Sequence, residues 1–179
     1  MKSSEKYINA LKFAAIKHNG QFRIGGLPYI THPIEVSLIL REKGYDDDYQ
    51  IAGLFHDLLE DTDATQTEIE QLGGINVLNA VKLLTKTDGY VMADYVGAIK
   101  ANPIARAVKA ADRLHNLRSA VVADADFKRR YILESIDWYL DFDPEISKAV
   151  KALSDSLNEP MYNLPLEYRP IDNDEELKG

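Results

Sequence analysis

The stretch FHDLLEDT, residues 55–62, sets His56, Asp57, Glu60 and Asp61 in close succession among apolar neighbours. Residues four apart share a helix face, which stacks His56 over Glu60 and Asp57 over Asp61. Burying such groups unpaired is costly, and a divalent cation is the usual compensation. The competing reading is an amphipathic helix whose polar side carries these residues, capped by Asp61 or Thr62. A second stretch, VKAADRLHNLRSA at residues 108–120, turns Val108, Ala111, Leu114 and His115 inward, with Asp112 among them and Asn116 one turn on. A lone inward Asp is ordinarily a hydrogen-bond acceptor in a buried network. Coupled to His56 and Asp57, it becomes a further metal donor. His32, in ITHPIEV, is a cap or surface residue if taken alone and a fourth donor if taken with the others.

Two imidazoles with two carboxylates form a mixed nitrogen and oxygen set that suits Mn, Fe, Zn or Co better than Ca or Mg. An ion held there lowers the pKa of water and polarises a phosphoryl oxygen, while a carboxylate that is not a ligand shuttles the proton. Glu60 and Asp61, one turn past His56 and Asp57, are placed for that shuttle. His18 and His115 lie on apolar helix faces and read as satisfied core or supporting histidines. No G-x-S-x-G, Walker A or G-x-G-x-x-G pattern is present.

The elements that must position these groups are helical almost throughout, with little of the alternation of half-buried strands. Tyr7, Leu11, Ala14, Ala15 and His18 share a face of a first helix that Gly20 ends. A Gly- and Pro-marked loop follows, and Pro33 suits the first turn of a second helix running to near Gly44. A third helix starts after the acidic triplet 46–48 and sends Ile51, Leu54, Phe55, Leu58 and Leu59 to the core. Thr65 and Glu68 form a capping box for a short helix closed by Gly73 and Gly74. Further helical periods cover residues 75–84, 90–101, 103–119, 127–141 and 144–157. The fold class expected is all-α, one domain over residues 1–157 with an irregular tail over 158–179.

Composition narrows the chemistry. The chain of 179 residues has no cysteine, which excludes disulfides, thiolate zinc sites and cysteine nucleophiles. A net charge of −8 with scattered Lys and Arg argues against nucleic acid as a partner, and an anionic substrate needs a metal or a few placed cations. With no apolar run of spanning length and no leader-like start, no membrane role is expected and the cytoplasm is the expected compartment.

The constellation His32, His56, Asp57 and Asp112 is the pattern of the HD phosphohydrolase superfamily. The stretches HNGQFRIGGLPYITHP, FHDLLEDT, VKLLTK and ADRLHNL match the order and spacing of the Rel/Spo alarmone hydrolases, and ESIDWY at 134–139 resembles their continuation. The resemblance implies a helical HD domain with one Mn2+ per chain that removes the 3′-pyrophosphate from (p)ppGpp, giving GDP or GTP. It implies that His32, His56, Asp57 and Asp112 ligate manganese and that Glu60 and Asp61 activate the attacking water. Arg23 would pack on or near the purine, and Asn116 would touch the substrate beside the metal. The length leaves no room for the synthetase and regulatory domains of full-length members, so a hydrolase-only small alarmone hydrolase is expected. The loop departs from the family pattern at Ile24, where a Lys is common, and over Gly25, Gly26 and Leu27, which bears on base or phosphate recognition. Two other readings stay open: an HD phosphohydrolase acting on another nucleotide, such as an adenine alarmone or a phosphorylated dinucleotide, and a metal-holding nucleotide sensor without turnover.

Overall fold

Helix α1 (Ser3–Lys17) buries Ala10 and Ala14, and the chain leaves it through Gly20 at φ 82°, a left-handed turn that glycine adopts without strain. The computed structural model describes residues 3–23 and 26–157; Ile24, Gly25 and the expected tail over 158–179 lie outside the described residues. The loop after α1 folds back on itself: the Arg23 N–H donates to the Leu27 carbonyl at 2.8 Å, and the Tyr29 N–H to Gln21 at 2.9 Å. This hairpin delivers the chain to α2 (Thr31–Glu42), where Pro33 sits in the first turn as expected.

Helix α3 (Asp47–Phe55) is capped by the Asp46 carboxylate, which accepts from the Asp48 N–H. It is the buried centre of the first packing unit: Ile51, Leu54 and Phe55 are fully enclosed, each contributing about 1.5–3 kcal/mol of apolar burial. It packs on α1, on α2, and on α5 (Gln66–Gly73) and α6 (Ile75–Leu84). Against α2 the approach is close, because a Cβ on Gly53 would stand 2.9 Å from Leu40 Cδ1 and 3.4 Å from the Ser37 Cα. The expected continuous helix through Leu59 is broken. α3 ends at Phe55, His56 and Asp57 form a turn, and α4 (Leu58–Asp61) restarts the helix. Leu58 is fully buried and Leu59 half-buried.

The capping box at α5 is present in full, with Thr65 accepting from the Glu68 N–H and Glu68 from the Thr65 N–H. Helix α7 (Met92–Ala101) is tied to the end of α6 by the Tyr95 hydroxyl, which donates to the Leu84 carbonyl at 2.8 Å. Helix α8 (Pro103–Ser119) turns Val108, Ala111, Asp112 and Leu114 inward, as its spacing predicts.

The chain packs as two compact units, the first ending at Asn116 and the second starting at Leu117. In the second, a short 3-10 turn (Ala120–Val122) leads to α9 (Ala125–Trp138) and α10 (Pro144–Asp155), which pack on each other around Ile132, Tyr139, Ile146 and Val150. α9 starts earlier than the apolar spacing suggests because the Asp124 carboxylate caps it by accepting from the Phe127 N–H. Among the described residues the regular structure is helical apart from one isolated bridge between Phe22 and Pro28, and no helix is long and apolar enough to cross a membrane. The all-α expectation is met.

Candidate metal centre

Three segments of the first unit converge on one point. The second residue of α2 supplies His32, the turn after α3 supplies His56 and Asp57, and the middle of α8 supplies Asp112. His32, His56 and Asp57 each offer a ligand atom, all within 4.8 Å of one another. The two Nε2 atoms face each other at 3.2 Å. His56 Nε2 is 3.0 Å from Asp57 Oδ2, and His32 Nε2 is 3.2 Å from Asp112 Oδ1. The crossed distances, His32 to Asp57 and His56 to Asp112, are 3.7 and 3.8 Å. Donors about 2.0–2.2 Å from one cation stand roughly 3 to 3.6 Å apart, so the donor set fits a single ion.

The outer nitrogens of both imidazoles are engaged. His56 Nδ1–H donates to the Gly53 carbonyl at 2.8 Å, which leaves its Nε2 as a lone pair when the ring is neutral. His32 Nδ1 lies 2.7 Å from His115 Nδ1. Around Asp57 the Tyr29 hydroxyl donates to Oδ2 at 2.7 Å and stands 3.3 Å from Asp61 Oδ2. Around Asp112, Asn116 Nδ2 donates to Oδ1 and the Lys109 ammonium to Oδ2 at 2.9 Å. Arg23 Nη2 in turn donates to Asn116 Oδ1 at 2.8 Å, so the two expected substrate residues are joined to each other and to an expected ligand.

The electrostatics ask for positive charge. Burial alone would depress the His56 imidazole, but the Asp57 and Asp112 carboxylates outweigh it and push its pKa up to about 10. Burial would raise both carboxyls, yet the charged His56 holds Asp57 low, and Lys109 with the two imidazoles holds Asp112 well below the carboxylate range. Burial lowers His32. Burial, then the Asp57 charge, lifts the Tyr29 phenol far above its usual value and keeps it a donor. Two carboxylates held ionised beside two buried imidazoles form a donor set that suits a divalent cation.

Glu60 and Asp61 are exposed, and Asp61 is linked to the centre through the Tyr29 hydroxyl. Glu60 Oε2 accepts from the Lys86 backbone N–H at 3.0 Å. Asp61 shares the Tyr29 hydroxyl with Asp57, and burial, Asp57 and Glu60 raise its pKa. His18 stands apart from the ligand atoms: it is buried, lies 4.8 Å from the Tyr29 ring, and donates from Nδ1 to Gln21, whose amide donates to the Asp61 carbonyl. His115 supports His32. Sequence reasoning missed Tyr29, Lys109 and Gln21. Tyr29 precedes His32 by one helical turn and Lys109 precedes Asp112 by the same step, the only local signals available.

Residues 10–94 match the family model for the HD domain. The chain is 35% identical over 133 residues to the bifunctional (p)ppGpp synthase/hydrolase SpoT of Escherichia coli (strain K12), a match covering 68% of this chain and 19% of that protein. It is 33% identical over 175 residues to the guanosine-3′,5′-bis(diphosphate) 3′-pyrophosphohydrolase of Spiroplasma citri, covering 90% of this chain and 23% of the relative. It thus spans about a fifth of the length of these relatives. A solved structure of a metazoan ortholog of SpoT, described as hydrolysing ppGpp and playing a role in starvation responses, superimposes with a TM-score of 0.64 at 27% identity, covering 91% of this chain and 97% of that one. Fold and site define an HD-domain protein. Its likenesses place it in the Rel/Spo type of that family.

Proposed function

We propose that this chain is a manganese-dependent (p)ppGpp 3′-pyrophosphohydrolase. The observation that carries the reading is the facing pair of imidazole Nε2 atoms, 3.2 Å apart between Asp57 and Asp112, with two further carboxylates beside them. His32, His56, Asp57 and Asp112 would hold the ion. When bound, the cation supplies Lewis acidity toward a phosphoryl oxygen and acidifies water.

The remaining steps belong to side chains. Asp61, held near Asp57 by Tyr29, and Glu60, held by the Lys86 N–H, take the proton of the attacking water. That water adds to the phosphorus bonded to the substrate's 3′ oxygen, the P–O3′ bond breaks, and the 3′ oxygen leaves with a proton. The products are pyrophosphate and GDP, or GTP when the 5′ end carries three phosphates. Arg23 presents a flat cation to the purine, and Asn116 orients substrate beside Asp112.

The test is metal analysis of the purified protein followed by turnover of ppGpp with added Mn2+ and identification of both products. Release of pyrophosphate and GDP is the expected result. Turnover confined to an adenine counterpart, or nucleotide binding without turnover, would overturn the assignment.

A further inference from the structure

A substrate carrying two pyrophosphate groups meets an acidic site: Asp57, Glu60, Asp61 and Asp112 surround the reaction centre, and the chain has a net charge of −8. Repulsion of the phosphates has to be offset by placed cations. One such group is unassigned so far. The Lys86 ammonium lies 5.2 Å from the Tyr90 ring centroid and 5.7 Å from that of Tyr95, and makes no ion pair among the described residues. Lys109 Nζ lies 5.9 Å from the same Tyr95 ring while holding Asp112. The ring is pinned by its hydroxyl on the Leu84 carbonyl. Two ammonium groups therefore share one fixed aromatic platform. An ammonium over a ring is held only weakly, so it can turn to a stronger anionic partner.

The platform has a definite place in the site. Lys86 is tied through its own N–H to Glu60, and Lys109 through its ammonium to Oδ2 of Asp112. Asn116 donates to the other oxygen, Oδ1, of that carboxylate, and Arg23 in turn donates to Asn116 Oδ1. The nucleoside side and the platform side thus lie on opposite oxygens of one expected ligand.

We propose that Lys86, with Lys109 beside it on the Tyr95 ring, forms the cationic subsite that receives the terminal phosphoryl of the 3′-pyrophosphate. The inference rests on the reaction proposed above and names the part of the substrate recognised there.

The experiment compares wild type, Lys86→Gln and Lys86→Arg as metal-loaded proteins, using ppGpp as substrate and pyrophosphate and GDP separately as product inhibitors. Losing one charge-assisted contact raises KM for ppGpp and Ki for pyrophosphate by roughly 10- to 100-fold in Lys86→Gln. The Ki for GDP stays unchanged and Lys86→Arg restores most of the loss. A platform that merely covers Tyr95 predicts no such split, so an equal change for pyrophosphate and GDP, or none for either, overturns the subsite. Should Lys86→Gln melt early, Lys86→Met, which keeps the aliphatic stem on the rings, carries the same expectation. Absence of ppGpp turnover in the wild type would refute the proposed reaction and leave Lys86 to be judged by calorimetric titration of pyrophosphate into wild type and variant. Equal affinities there refute the subsite.

Discussion

His32 and His115 meet nitrogen to nitrogen, Nδ1 to Nδ1 at 2.7 Å. One ring must donate and the other accept, and only one arrangement suits a cation. His32 has to carry its proton on Nδ1, so that its Nε2 lone pair faces His56. His115 is then the acceptor that sets the tautomer. Replacing His115 by Leu is expected to weaken metal binding by roughly 10- to 100-fold, whereas His115→Gln, which retains an acceptor oxygen, recovers part of the loss. Competition with a metal-chelating dye measures this, and equal affinity in the Leu variant would refute the tautomer argument.

Tyr29 performs the matching task for Asp57. Its single hydroxyl proton favours Asp57 at 2.7 Å over Asp61 at 3.3 Å. Tyr29→Phe is expected to loosen the metal by at least about 10-fold, since partners of ligands carry effects of that size. Turnover in Tyr29→Phe with wild-type metal affinity and wild-type rate would show that the hydroxyl orients nothing.

Ligands and proton carriers separate by mutation. His56→Ala and Asp57→Ala are expected to lose both metal and turnover. Glu60→Gln and Asp61→Asn are expected to keep the metal and lose roughly 100-fold or more in rate. Metal content and kcat measured on the same preparations decide it; a metal-free Glu60→Gln protein would reassign Glu60 to the ligand set.

Metal removal is also expected to show in stability. A ligand at one hundred times its Kd adds about 2.7 kcal/mol, which for a chain of this size moves Tm by roughly 5 to 10 °C. Dialysis against a chelator should lower Tm by that amount and abolish hydrolysis, both reversed by Mn2+.

Asp61 gives a pH signature. Burial, Asp57 and Glu60 raise its carboxyl pKa, so the folded chain retains a proton that the unfolded chain has already released. Its contribution to stability is complete below the ordinary carboxylate pKa and is lost as pH rises through the raised value. At neutral pH the ionised group therefore works against folding. Metal-free Asp61→Asn is expected to resist urea better than wild type at pH 7, with the advantage shrinking toward about pH 4. A constant difference in midpoint across that range would contradict the linkage.

The bounds of α6 and α8 and the Thr65–Glu68 box were legible in the sequence, because periodicity, Pro103 and short-range caps are local signals. So was the convergence of His32, the His56–Asp57 pair and Asp112, since these residues are unusual on otherwise apolar faces. The break after Phe55 was not. Periodicity runs through FHDLLEDT without interruption, yet adjacent residues of an unbroken helix point in different directions and could not bring His56 Nε2 and Asp57 Oδ2 to 3.0 Å. Tyr29 and Asp57 stand 28 positions apart, and Lys86 meets Glu60 through its backbone. Neither relation has a local pattern to betray it.

Gly53 joins helix packing to the placing of the two imidazoles. His32 rides on α2 and His56 follows α3, and the two helices close on each other where Gly53 faces Leu40 and Ser37. The same residue's carbonyl anchors the His56 ring. The close approach of the two helices thus bears on the 3.2 Å spacing of the two imidazole Nε2 atoms, and it depends on a missing methyl group. In Gly53→Ala the new Cβ would stand 2.9 Å from Leu40 Cδ1 and 3.4 Å from the Ser37 Cα, so the Leu40 side chain would have to turn aside within an already close helix contact. The spacing of the two imidazoles therefore depends on the hydrophobic interior as well as on the residues that carry the donor atoms.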